Sequence, residues 1–99
     1  MTEVKLTLYC AASDADAIAE LLKDATERPV HIREELVFGL DFSDASTQEQ
    51  VTGQLDRRSL DLLVRRDAID GLIARIAGMK RTAPVRWLLT PVEAEGRLP

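Results

Sequence analysis

Val4, Leu6, Leu8 and Cys10 alternate with Lys5, Thr7 and Tyr9. That period of two marks a half-buried strand. Ser13 then offers an N-cap, and Asp14 and Asp16 suit the positive end of a helix dipole. Ala17, Ile18, Leu21, Leu22 and Ala25 follow at helical spacing and form one apolar stripe. Pro29 closes this helix and opens a second strand, Val30 to about Leu40. A polar stretch, Asp41 to Gly53, separates it from a third strand over Gln54–Arg65, with Leu60, Leu62 and Val64 on one face. Asp67 is placed to cap a second helix. Its buried stripe is Ile69, Leu72, Ile73, Ile76 and Ala77, and Gly78 is its stop. Pro84 precedes a last strand, Val85–Thr90, which Pro91 ends.

The order βαββαβ, with both helices amphipathic on one side, predicts an α+β fold. Two helices cover one face of a four-stranded antiparallel sheet, the ferredoxin-like arrangement. One such domain accounts for residues 1–99. Val4, Leu6, Leu8, Ile32, Leu62, Val64, Val85, Trp87 and Leu89 are expected under the helices. Lys5, Thr7, Tyr9, Val37, Leu63 and Leu88 fall on the opposite face, which is too apolar for an ordinary wet surface and suggests burial in an oligomer. With the first strand drawn upward, the stretch 41–53, Cys10, the start of the first helix and the turn Gly78–Pro84 share the upper rim. The chain ends and His31 fall at the bottom.

A connection of this length is uncommon where hairpin loops take about 2–5 residues, and long loops on small scaffolds often carry function. Hydrophobic residues make up 45% of the chain and only four are aromatic, so the core is aliphatic. The formal net charge of −4 argues against a nucleic-acid partner, since phosphate binding needs a basic surface. Basic residues nevertheless come in doublets: Arg57–Arg58, Arg65–Arg66 and Lys80–Arg81. The single Cys10 excludes an intramolecular disulfide. The opening MTEVKLTLYC lacks the pattern of a signal peptide, and no apolar run nears the roughly 20 residues of a membrane span. A cytoplasmic protein is expected.

Two motifs point to a family. Glu49-Gln50-Val51-Thr52-Gly53-Gln54 with Arg57, and Trp87-Leu88-Leu89-Thr90-Pro91-Val92 followed by Gly96, resemble patterns of small PII-like proteins of unknown function. Such proteins are often encoded beside heavy-metal efflux pumps. The likeness covers nearly the whole chain. Gln54 stands where members often have Arg, and Arg86 where an aromatic residue is common. The resemblance implies a homotrimer related to the nitrogen-regulatory PII signalling proteins. In these a T-loop after the second strand touches target proteins, and a small effector binds between subunits near the loop base and the turn after the second helix. The matching positions are Asp41–Gly53 and Gly78–Pro84. The latter lacks the glycine-rich phosphate-cradling run of PII proteins.

The candidate ligand-binding residues are therefore Gln50, Gly53, Arg57, Gly78, Lys80 and Arg81. Lys80 offers a point charge and Arg81 a planar fork of donors to an anion. The same pair also suits a solvated turn, because cations are favourable at a helix C-terminus. Arg57 and Arg58 point to opposite faces, so one can face a cleft while the other pairs with an acid such as Asp56, or Asp61 of a neighbour. Gly53 fits a loop-to-strand turn with positive φ.

For a metal the ligand types are Cys10, His31, Glu34, Glu35, Asp41 and Asp44. Cys10 and His31 lie at different levels, no CxxC pair exists, and Asp41 and Asp44 remain as weak candidates. Cys10 reads first as a small buried hydrophobe. The chain has no Asn, which acylphosphatases of this fold need, and His31 has no Ser or Cys nearby, so no enzyme is expected. The favoured reading is a trimeric regulator that senses a small molecule or metal ion and acts on a partner, such as an efflux component, through 41–53. The alternatives are a scaffold module without a ligand and, behind it, a small ferredoxin-like enzyme.

Overall fold

The computed structural model describes residues 2–38 and 54–99. The expected loop, with Asp41, Asp44, Gln50 and Gly53, lies outside the described residues, as does the expected end of the second strand at Leu40.

The elements are β1 (Glu3–Ala11), α1 (Ala15–Thr26), β2 (His31–Phe38), β3 (Gln54–Arg65), α2 (Ile69–Gly78) and β4 (Arg86–Pro91). The sheet order is β2-β3-β1-β4, and every neighbouring pair is antiparallel. This is the ferredoxin-like fold that the hydrophobic pattern predicts. Val4, Leu6 and Leu8 on β1 lie opposite Val64, Leu62 and Leu60 on β3. On β1's other side, Leu6 and Leu8 lie opposite Leu89 and Trp87 of β4. Ala15, Ile18 and Leu22 of α1 and Ile69, Leu72 and Ile76 of α2 are buried in the same cluster. Spacing of three and four turns these positions onto one helix face, so each helix buries a stripe. Truncating a leucine such as Leu22 in so closed a core costs about 2–5 kcal/mol.

The helix starts differ from expectation. Neither Ser13 nor Asp14 caps α1, and Asp67 does not cap α2. Each strand instead runs into a 3₁₀ turn, Ala12–Asp14 or Arg66–Ala68, whose first carbonyl takes the amide of the following helix residue. The helix ends also separate. Glu27, just past α1, adopts the left-handed conformation at φ 55, and its amide donates to the Lys23 carbonyl at 2.8 Å. Gly78 does end α2 as expected, but Met79 leaves it in extended conformation at φ −83, so the stop needs no left-handed residue.

His31 is not at the bottom of the sheet. It lies opposite Asp61, which itself lies opposite Thr7, near the middle of β1. The cause is the register: β2 pairs only with Gln54–Asp61, so β3 runs four residues further down than β2. His31 and Cys10 still cannot share an ion. They lie on opposite faces, two strands apart and three residues apart in level, roughly 10 Å in each direction.

On the face away from the helices, Asp61 is buried in mid-sheet. It accepts a hydrogen bond from Thr7 Oγ1 at 2.7 Å and pairs with the Arg33 guanidinium. Burial pushes its carboxyl up, but the hydrogen bonds from Thr7 and Arg33, with the charges of Lys5 and Arg33, outweigh this and hold it below the usual value. A carboxyl lowered in the folded state contributes stability above its unfolded pKa of about 3.9, and that contribution fades as pH falls. Asp61→Asn is therefore expected to lose roughly 1–3 kcal/mol at pH 7. Urea denaturation across pH should show the gap to the wild type narrowing below about pH 4; a gap constant with pH would contradict this account.

Candidate ligand-binding rim

The upper end of the sheet gathers Cys10, Ala11, Arg57 and Arg58, because Cys10 pairs with Arg58 and Ala11 with Arg57. β2 and β3 reach the same end through Phe38 opposite Gln54. Residues 39–53, which include 41–53, connect these two strands in the sequence. The turn after α2 meets the rim from the side. Asp14, buried at the β1–α1 corner, accepts hydrogen bonds from the Thr82 amide at 2.9 and 3.1 Å and from the Ala83 amide at 3.2 Å. Ser13 and Thr82 hydroxyls are 2.9 Å apart and share a further bond.

Arg81 is not a free anion receptor. Its Nε donates to the Ile76 carbonyl and its Nη1 to the Ala83 carbonyl, both at 3.1 Å. The guanidinium thus ties the last turn of α2 to the chain entering β4, the favourable place for a cation at a helix C-terminus. Lys80 is exposed beside it. Gly78 is also exposed, and a Cβ there would meet nothing within 4 Å. Its lack of a side chain is not needed for packing.

Arg58 faces the helix side and donates to Asp56 Oδ1 at 2.7 Å, with Glu34 at 3.9 Å. The expected acid partner therefore comes from the same strand. Arg57 is on the other face, opposite Glu35 and Ala11, and its Nη1 donates to the Asp56 carbonyl at 3.1 Å. Arg86 lies over the Tyr9 ring at 4.7 Å on that face, a cation–π contact. Burial pushes the Cys10 thiol up to about 11; Asp14 adds to this, and Arg57 and Arg58 oppose it without prevailing. Cys10 is a protonated core thiol at neutral pH, unsuited to soft-metal binding or nucleophilic attack. Among the described residues, no three of His, Cys, Asp and Glu come together as a metal-binding group. No described helix is long and apolar enough to cross a membrane.

The structure thus brings Arg57 and the Lys80–Arg81 turn to one end of the fold and gives Arg81 a bracing role. The parts played by Asp14 and Asp61 were missed in the sequence. A carboxylate within the apolar run Leu60-Asp61-Leu62-Leu63, opposite Thr7, was the available signal for Asp61. Nothing local marks Asp14, since its partners are 68 and 69 residues away.

This βαββαβ fold is shared by several solved structures. Arabidopsis thaliana PII bound to citrate is similar, with 14% identity over 92% of this chain and 78% of that one, at a TM-score of 0.66. The chain belongs to the family described as "Protein of unknown function (DUF3240)", whose match spans residues 1–99. A family protein from Shewanella baltica has 16% identity over 100% of this chain and 99% of that one, at a TM-score of 0.73. A Bacillus cereus protein related to NIF3 has 10% identity, with 97% of this chain matching 26% of that one at 0.71. At these identities the structural likenesses establish the fold. No curated protein matches the chain in sequence.

Two substitutions separate bracing from binding at the rim. Asp14→Ala removes the acceptor of the part-buried Thr82 and Ala83 amides and is expected to cost about 1–3 kcal/mol in urea denaturation. Gly78→Ala is expected to be neutral or to stabilise by up to about 1 kcal/mol, because the site is helical and open. A Gly78→Ala loss above that size would show a backbone constraint at this position.

Proposed function

We propose that the chain is a non-enzymatic PII-like regulatory protein, cytoplasmic and trimeric. Like subunits cover the β4 side of the open sheet face, where Leu88 is 41% exposed opposite Thr7. A small effector, an organic anion or a metal ion, binds where subunits meet beside the upper rim. Segment 41–53 then carries the response to a partner protein, of which a heavy-metal efflux component is the expected kind. One observation carries this reading: Arg57 reaches the end of the sheet from which segment 41–53 departs and to which it returns. The likeness to a plant PII described as bound to citrate supports a small anion as the effector class.

A second reading is a ligand-independent interaction module. It is favoured by the rim turn itself, where Asp14 already holds the Thr82 and Ala83 amides and Arg81 already holds two carbonyls. Leu36 and Phe38 also stand out on edge strand β2, Phe38 at 78% exposure. Apolar side chains at a strand edge suit protein contact.

Thermal unfolding separates the two. With ATP, cyclic AMP, bicarbonate and Zn²⁺, Cu²⁺, Co²⁺ or Ni²⁺, the regulator reading expects at least one addition to raise Tm by about 4 °C or more, weakened by Lys80→Ala. No rise with any of them, together with recovery of a partner in ligand-free buffer, selects the interaction module.

A further inference from the structure

The late start of β2 leaves a notch at the lower end of the fold. β3 continues through Leu62–Arg65 with no β2 residue beside it. Strand backbone groups alternate in direction, so some of those N–H and C=O groups face a side with no strand partner. The α1–β2 link at Arg28 and Pro29 bounds the notch, and Glu95–Arg97 of the C-terminal tail lie across it. The open notch has a volume of about 510 Å³, within the range of small-molecule sites.

Its charge runs against that of the chain. Lys5, Arg28, Arg33 and Arg97 line it against the carboxylates of Asp61 and Glu95, in a protein of net charge −4. Two of the cations are held in place. Arg28 Nη2 pairs with Glu3 at 2.8 Å, and Arg33 is tied to Asp61, which Thr7 fixes in turn. Each guanidinium has five N–H donors, so one ion pair leaves others available. Lys5 and Arg97 donate no side-chain hydrogen bond among the described residues. With Glu3 counted against Arg28, positive charge remains in excess. Leu62, Leu63 and Pro29 supply apolar walls. Apolar walls with a few convergent polar groups are how small-ligand sites are built.

We propose that this notch binds a small organic dianion, bearing carboxylate or phosphate groups on a compact apolar body. Lys5 and Arg97 meet the anionic groups, Arg33 adds its outward donors, and the apolar body rests against Leu62 and Leu63. The notch lies on the β2 side of the open face, at the opposite end from Lys80, and is independent of the rim. Its Lys5 and Asp61 flank Thr7, which lies opposite Leu88, so it borders the association surface above.

A ¹H–¹⁵N NMR titration of the full chain at low salt tests this with isophthalate as the dicarboxylate, phenyl phosphate as the phosphate and isophthalamide as the uncharged control. Saturable shifts at Lys5, His31, Arg33, Leu63 and Arg97 are expected with at least one dianion and none with isophthalamide. Whichever dianion binds more tightly names the preferred oxyanion. Lys5→Gln with Arg97→Gln should weaken binding about tenfold or more, the size of a lost charge-assisted bond. Arg97→Gln alone, in the exposed tail, should weaken it in the same direction and removes folding as an explanation. The proposal is overturned if neither dianion saturates at tens of millimolar, if isophthalamide binds equally well, if the shifts cluster at Lys80–Ala83 instead, or if the variants bind as the wild type does. Shifts at Lys80–Ala83 would support the rim reading while removing this one.

Discussion

The fold hangs on the register of β1, an inner strand paired with β3 on one side and β4 on the other. Val4, Leu6 and Leu8 must face the helices, opposite Val64, Leu62 and Leu60 on one side, with Leu89 and Trp87 opposite Leu6 and Leu8 on the other. A slip of one residue would put Lys5, Thr7 and Tyr9 into the core and every leucine outside. The same register sets Thr7 beside Asp61 and Tyr9 beside Arg86, and it raises Arg57 to the upper rim. Core and candidate sites are thus two faces of one alignment.

This explains what could be read from the chain. Strand and helix periods in Val4–Cys10, Leu60–Val64, Ile18–Leu22 and Ile69–Ile76 are set by burial, which acts residue by residue and leaves a local pattern. The faces of the central strands followed directly, but Ile32 and Trp87, expected under the helices, stay 46% and 45% exposed on the outer strands. The caps did not. Ser13 and Asp67 look like N-caps and Asp14 like a dipole partner, yet 3₁₀ turns take the helix amides and Asp14 reaches Thr82 and Ala83 across the fold. Tertiary hydrogen bonds of that span leave no local period. His31 was misplaced for a related reason: the offset between β2 and β3 depends on their pairing, and the segment joining them leaves that offset undetermined.

The same offset divides the molecule electrostatically. At the upper end, Arg81 holds the Ile76 and Ala83 carbonyls and Arg58 pairs with Asp56, so these cations mainly brace the structure. At the lower end, Lys5 and Arg97 line a notch beside two anchored guanidinium groups. Lys5 and Arg97 thus stand at an end of the fold that no sequence motif marks. Arg57 and Lys80 remain the rim groups through which an effector would act.

The regulator reading needs a neighbour, because its effector site is completed between subunits and because Leu88 and Tyr9 lie on a face the helices do not cover. Sedimentation equilibrium of the wild type and of Leu88→Asp is the most direct measurement. The account predicts a wild-type mass three times the 11.0 kDa of one chain and a folded monomer for the variant. A wild type that remains monomeric at micromolar concentration, or a trimer indifferent to Leu88→Asp, would contradict it.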